Sequence, residues 1–249
     1  MVIVDLNADV GESYGHYTIG DDENLIPYLT SANIACGLHA GDPSTIAKAV
    51  LLCVDHGVKI GAHIGFSDIQ GFGRRLLPID SASLRELVIY QMGVMLGFCQ
   101  AYGTKLNHVK LHGALYNKVA ESYSLSKTLI ETIRSIDSSV ILYGLSGSSN
   151  ELAARDLDHP FYAEVFSDRA YRIDGSLVPR TENGAMIHSP EVASQKMVHL
   201  IKSGQMITLS GEAIDLRVDT ICLHGDKPDV IEHVQILRTA LENEGIVIA

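Results

Sequence analysis

Short apolar runs alternate along this chain with longer amphipathic stretches. The runs fall at 2–8, 32–37, 59–64, 108–112, 140–145, 162–166 and 220–223. They are near-continuous rather than alternating, as strands are when both faces of a parallel sheet are covered. The stretches between them carry helix punctuation. Asp42-Pro43-Ser44 supplies a cap and a first-turn proline for a helix that runs through Ile46, Val50, Leu51 and Val54 to Gly57. Ser83-Leu-Arg-Glu86 reads as a capping box near the start of a helix that ends around Gly103. Ser189-Pro190 opens another that ends at Gly204, and Pro228 sits near the start of a last one ending at Gly245. Each helix returns the chain for the next parallel strand.

Seven strands with intervening helices in 249 residues predict a closed or nearly closed β/α barrel, ahead of a doubly wound open sheet. No linker or low-complexity tract divides the chain, so residues 1–249 are expected to form one barrel domain.

Four runs end in the same way, at a histidine among small residues: Asn33-Ile-Ala-Cys-Gly-Leu-His39-Ala-Gly41, Gly61-Ala-His63-Ile-Gly65, Lys110-Leu-His112-Gly-Ala114 and Cys222-Leu-His224-Gly225. Equivalent strand ends lie on one rim of a barrel, so these imidazoles are expected to converge there. His16, His56, His108, His159, His188, His199 and His233 lack that context and read as surface or packing residues.

Strand one carries Asp5, Asn7 and Asp9 on one side of an extended chain, followed by Glu12. In a barrel that side points inward, where an unpaired carboxylate is costly; a binding or catalytic role explains such residues better than a turn does. Lys110 leaves its strand on the same face as His112 and suits an oxyanion, carboxylate or phosphate. Asp168-Arg169 offers an acid and a guanidinium fork. Two long connections, 65–78 with Asp68, Arg74 and Arg75, and 167–186 with Arg172, Asp174, Arg180 and Glu182, follow strand ends on the same side and are expected to bind substrate or close over it.

Composition narrows the field. The chain is 46% hydrophobic and carries a formal net charge of −11, so it has the apolar material for a large core but no positive field for nucleic acid. The N-terminal residues read as a strand rather than a signal peptide, no apolar run spans a bilayer, and a cytoplasmic protein is expected. Cys36, Cys53, Cys99 and Cys222 form no CxxC pair and read as buried small hydrophobes. Walker A, Gly-x-Gly-x-x-Gly, Gly-x-Ser-x-Gly and His-Glu-x-x-His motifs are absent, so the chemistry rests on carboxylate, imidazole and amine groups.

Taken in order, Asp5-Leu-Asn7-Ala-Asp9-Val-Gly11-Glu12-Ser-Tyr-Gly15, Asn33 to Pro43, Gly71-Phe-Gly-Arg-Arg75, Lys110-Leu-His112-Gly-Ala-Leu-Tyr-Asn117, Glu164-Val-Phe-Ser-Asp168-Arg169-Ala-Tyr171 and Cys222-Leu-His224-Gly-Asp226 resemble the LamB/YcsF family. Two positions depart from its pattern: Ile64 and Leu111 stand where proline is expected. The resemblance implies a (β/α)7 barrel of the glycoside hydrolase/deacetylase type. It also implies ATP-dependent opening of 5-oxoproline to L-glutamate, with ATP and Mg²⁺, together with subunits B and C of a 5-oxoprolinase.

The catalytic residues expected on that basis are Asp9, His63, Lys110, His112 and Asp168. Asn7, Glu12, His39, Arg75, Arg169, His224 and Asp226 are expected to bind substrate. Asp9, His63 and His112 are also the set that related deacetylase-like barrels imply for a divalent metal. Two other readings stand beside this one: a metal-dependent amidohydrolase or deacetylase that needs no ATP, and a non-catalytic lactam- or sugar-binding protein.

Overall fold

The computed structural model describes residues 2–225 and 229–249. Its strands are β1 (Ile3–Val10), β2 (Ser31–Ala35), β3 (Lys59–Ile64), β4 (Leu106–Leu111), β5 (Ile141–Leu145), β6 (Phe161–Phe166), β7 (Gln205–Ile207), β8 (Ala213–Asp215), β9 (Thr220–His224) and β10 (Val247–Ile248). The helices are α1 (Asp22–Leu25), α2 (Pro43–His56), α3 (Ser81–Ala101), α4 (Gly113–Ala120), α5 (Tyr123–Ile136), α6 (Ser149–Asp156), α7 (Pro190–Ser203) and α8 (Val230–Asn243), with a 3₁₀ turn at Ile26–Tyr28.

Strands β1 to β6 and β9 pair in parallel in that order, and β9 pairs back to β1, so seven strands close a barrel. The seven expected strands are these seven. β10 adds a short parallel pairing to the start of β1, and β7–β8 form an antiparallel hairpin that the apolar pattern did not announce. No helix among the described residues is long and apolar enough to cross a membrane.

Helix boundaries follow the caps with one shift. Asp42 accepts from the N–H groups of Ser44 and Thr45, and Gly57 closes α2 in the left-handed conformation. The buried face of α2 is Ile46, Ala49, Val50 and Cys53, whereas Leu51 and Val54 point to solvent. Asp80, not Ser83, caps α3 by accepting from the Ser83 N–H, so the helix begins three residues earlier than the capping box suggested. Pro228 lies outside the described residues.

The register fixes what fills the barrel. Even positions of β1 (Leu6, Ala8, Val10) are buried against the helices, with Ile34, Ile64, Val109, Leu111, Val165 and Leu223 in the same shell. Ile64 and Leu111, the two departures from the family pattern, are register partners across β3 and β4. Odd positions of β1 face the barrel axis, as do their register partners, and the interior is polar. Asp5 accepts from Thr30, Ser31 and Thr220 hydroxyls at 2.6–2.7 Å. Asn7 donates to Glu164 (3.1 Å) and Thr220 (2.7 Å) and accepts from Asn33 (2.7 Å). Buried carboxylates are tolerated here because hydroxyls, amides and Lys110 satisfy them.

His108 belongs to this interior rather than to the surface or to simple packing. Its ring stacks on Tyr143 (centroids 3.9 Å apart), and its Nε2–H donates to Asn33 Oδ1 at 2.8 Å. Gly61, its register partner on β3, leaves the space the ring occupies: a Cβ there would lie 2.0 Å from His108 Nε2.

Candidate active site

The strand ends deliver their histidines to one mouth. His39 stacks on His112 with centroids 4.0 Å apart, and His63 stands edge-on to both. His112 Nε2 lies 2.8 Å from the Phe72 carbonyl and His63 Nδ1 lies 3.3 Å from the Lys110 carbonyl. A carbonyl only accepts, so each of these nitrogens carries the proton. The remaining nitrogens, His63 Nε2 and His112 Nδ1, face each other at 2.9 Å. Asp9 Oδ2 stands 3.2 Å from the first and Glu12 Oε1 stands 3.4 Å from the second. Acceptors crowd one point, which calls for positive charge between them.

Both His39 nitrogens are buried without a hydrogen-bond partner among the described residues, and Nε2 lies 3.6 Å from Glu12 Oε1. Ligand atoms of Glu12, His39, His63 and His112 all lie within 4.8 Å of one another. Three imidazoles and a carboxylate are a donor set for a divalent transition ion, and carbonyls that fix the ring tautomers are its usual support. The residues therefore fit a metal. The carboxylate in the cluster is Glu12, however, with His39 as a further ligand, in place of the expected Asp9. Asp9 touches His63 from the side, while its Oδ1 is held by Lys110 Nζ (2.8 Å) and Asn33 Nδ2 (2.9 Å).

Electrostatics follow the burial. Burial raises the Asp9 carboxyl, but His63 and Lys110 outweigh it and hold the group well below the usual carboxylate range. Burial likewise opposes charge on Lys110, but Asp9, Cys222 and Glu164 overcome it and keep the amine well above its ordinary value. Burial, then His63, pushes His112 down to about 3, and burial first among several causes holds His39 well below its ordinary value. Both rings are neutral near pH 7, the form that ligates metal.

A cavity of about 770 Å³ opens above this floor, lined by Asp9, Glu12, Lys110, His112, Arg169 and His224 among others. Asp168 stands behind His224, its carboxylate 3.0 Å from Nδ1, which directs Nε2 of that ring away from the pair. His39 and His63 lie behind His112. Asn7 sits one layer below with its amide engaged in the barrel network, so it does not line the cavity expected of a substrate ligand. Arg75 forms an ion pair with Asp68 on an exposed loop, and Arg74 occupies the cavity wall instead. Asp226 lies outside the described residues.

Three contributors escaped the sequence pattern. Phe72, at φ +52°, supplies the carbonyl to His112 and packs edge-on against the His39 and His112 rings. Gly73 follows it at φ +61°, where a Cβ would lie 2.8 Å from His112 Cδ2. Ser146 closes β5 at the cavity wall. The Gly71-Phe-Gly segment was visible, but nothing in it named a histidine as the partner. Cys222 is also more than a hydrophobe, because its Sγ lies 2.9 Å from Lys110 Nζ.

The sequence matches the LamB/YcsF family over residues 4–249. It is 45% identical over 246 residues to the A subunit of 5-oxoprolinase from Ruegeria pomeroyi, covering 99% of this chain and 97% of that protein. It is 44% identical over 243 residues to the A subunit of 5-oxoprolinase from Pyrococcus horikoshii, covering 98% and 95%. Among solved structures, the lactam utilization protein of Thermus thermophilus superposes with a TM-score of 0.93 at 38% identity, covering 100% of this chain and 99% of that one. With family, relatives and fold in agreement over essentially the full length, the chain belongs to the LamB/YcsF family.

Proposed function

We propose that this chain opens the lactam ring of 5-oxoproline to give L-glutamate, as the A subunit of an ATP-dependent 5-oxoprolinase acting with subunits B and C. Relatives named as the A subunit of 5-oxoprolinase, at 44–45% identity, support the substrate and the partners. A cytoplasmic setting suits four cysteines that are all free.

The chemistry explains why ATP is needed. A lactam carbonyl is a weak electrophile, and ATP with Mg²⁺ phosphorylates its oxygen, activating the carbon towards water. A divalent ion held by Glu12, His39, His63 and His112 would acidify a water and polarise the reacting carbon–oxygen bond. Asp9 at the cavity floor takes the proton of the attacking water; its low basicity is the reason such acidification matters. Lys110, fixed by Asp9 and by Glu164 (3.0 Å), faces the negative charge that develops on oxygen. As the C–O bond from water forms and the C–N bond breaks, His224 Nε2, aimed by Asp168, protonates the ring nitrogen; the phosphoryl group stays on the new carboxyl as an acyl phosphate, and a second water displaces it as inorganic phosphate to leave glutamate. Arg169 receives the ring carboxylate.

The observation that carries this reading is one cavity containing an acceptor cluster built for a cation, a buried ammonium and an Asp–His pair. Because that set is complete within one chain, a second reading has support: an amidohydrolase that acts without ATP. The deciding experiment is glutamate release from 5-oxoproline by the chain alone and with its partner subunits, with and without ATP. We expect release only with partners and ATP, and a loss of about a hundredfold or more in kcat for His224→Ala. Release by the chain alone without ATP establishes the second reading. Undiminished turnover in His224→Ala, His112→Ala and Lys110→Met leaves only a ligand-binding role.

A further inference from the structure

Two buried polar groups on the cavity wall find no partner among the described residues. Ser146 is 1% exposed; its N–H donates to the Glu164 carbonyl at 3.0 Å, but its Oγ has no hydrogen-bond partner among the described residues. Arg169 is 7% exposed; its Nη2 donates to the Val178 carbonyl at 2.6 Å, but its Nε has no hydrogen-bond partner among the described residues. Both residues line the same cavity, at the ends of β5 and β6, which are neighbours in the barrel. Arg180 lines it as well. Burial first, and then the charge of Arg180, lowers the Arg169 pKa, and Asp168 offsets this only in part.

Described acids nearby are engaged elsewhere, Asp168 with His224 Nδ1 at 3.0 Å. Asp174 Oδ1 accepts from the N–H and hydroxyl of Ser176, Glu182 pairs with Arg172, and Glu151 holds the Gly147 N–H and Arg217. A buried N–H and a buried hydroxyl without acceptors are costly, and native proteins keep such groups where a ligand or water completes them.

We infer that Ser146 Oγ, Arg169 Nε and the Arg180 guanidinium form an oxyanion subsite that takes the carboxylate or a phosphoryl group of the substrate. A planar guanidinium fork beside a hydroxyl matches the oxygens of either group. The identity of the substrate rests on the ring-opening reading; the subsite itself does not, since it binds without turnover.

The test is calorimetric titration of the chelator-treated full chain with 5-oxoproline, with inorganic phosphate, and with 2-pyrrolidinone, the same lactam without its carboxylate. At least one of the two anions should bind at one per chain, and the neutral lactam should bind at least about tenfold more weakly. Arg169→Gln should weaken the anion by about tenfold or more and Ser146→Ala by roughly threefold to tenfold, with circular dichroism reporting the fold. If Arg169→Gln does not fold, Arg180→Gln and Ser146→Ala carry the test. His112→Ala should keep the anion affinity.

Binding of 5-oxoproline alone identifies the carboxylate as the ligand, and binding of phosphate alone identifies a phosphoryl group. No binding of either anion, unchanged affinity in the Ser146 and arginine variants, or loss of affinity in His112→Ala overturns the inference. Failure of the ring-opening reading looks different: anion affinity stays intact in an assembly that releases no glutamate.

Discussion

Gly61→Ala is the smallest change that reaches the polar interior of the barrel. The added methyl would sit 2.0 Å from His108 Nε2, 2.3 Å from its Cδ2 and 2.4 Å from its Cε1. Neither group yields easily, because Gly61 lies in a strand and His108 is stacked on Tyr143 and bonded to Asn33. Overpacking a well-filled interior costs about 1–3 kcal/mol, and displacing the ring strands the Asn33 carbonyl for about 1–3 more. The sum is about 4 kcal/mol, or roughly 8–16 °C in Tm for a chain of this size. Asn33 also donates to Asp9, so the disturbance reaches the cavity floor. The assay is denaturant and thermal unfolding of Gly61→Ala, His108→Ala and the double variant. Removing the ring should make room for the methyl, so the double variant should be at least about 1 kcal/mol more stable than the two single losses predict. A Gly61→Ala loss below about 1 kcal/mol, or simple additivity, would refute this account of the interior.

Other consequences follow from the same groups. Burial holds His112 at about 3 and His159 at about 4, and leads the causes that keep His39 and His108 well below 6.5. The unfolded chain takes up these protons near pH 6.5 and the folded chain only far lower. Stability is therefore complete above that pH and falls as pH drops towards 4, by roughly 1 kcal/mol per pH unit for each ring. Urea midpoints at pH 7 and 5 should differ, His159→Asn should reduce the difference, and equal midpoints would contradict the burial argument. Lys110→Met leaves Asp9 and Glu164 without their cation and should cost about 3–5 kcal/mol in unfolding experiments. Arg75→Ala leaves the buried Asp68 carboxylate without its guanidinium and should cost about 1–3 kcal/mol, while changing KM for 5-oxoproline by less than about threefold.

The barrel was legible because buried parallel strands write themselves as continuous apolar runs, and all seven stand where those runs lie. The hairpin of Gln205–Ile207 and Ala213–Asp215 was not, because its two three-residue strands are too short for a period to emerge. Ser83 mimics a cap in the sequence because Asp80 offers the same kind of oxygen three residues earlier. At the site, strand position identified His39, His63, His112 and His224 as rim residues. The same criterion failed for His108, which shares a strand with Lys110: its meaning depends on Gly61 across the sheet, a register relation that no local pattern encodes. Glu12 rather than Asp9 joins the histidines because Asp9 is drawn to Lys110 and Asn33. Arg74 and Arg75 are adjacent, and only the folded loop decides which one faces the cavity.

The central claim is that Glu12, His39, His63 and His112 are arranged for a divalent cation. Its most direct test is calorimetric titration of the chelator-stripped chain with Zn²⁺. The account predicts one saturable ion per chain, with affinity falling by more than about tenfold in each of Glu12→Gln and His63→Ala. No saturable binding, or equal affinity in those variants, would contradict it.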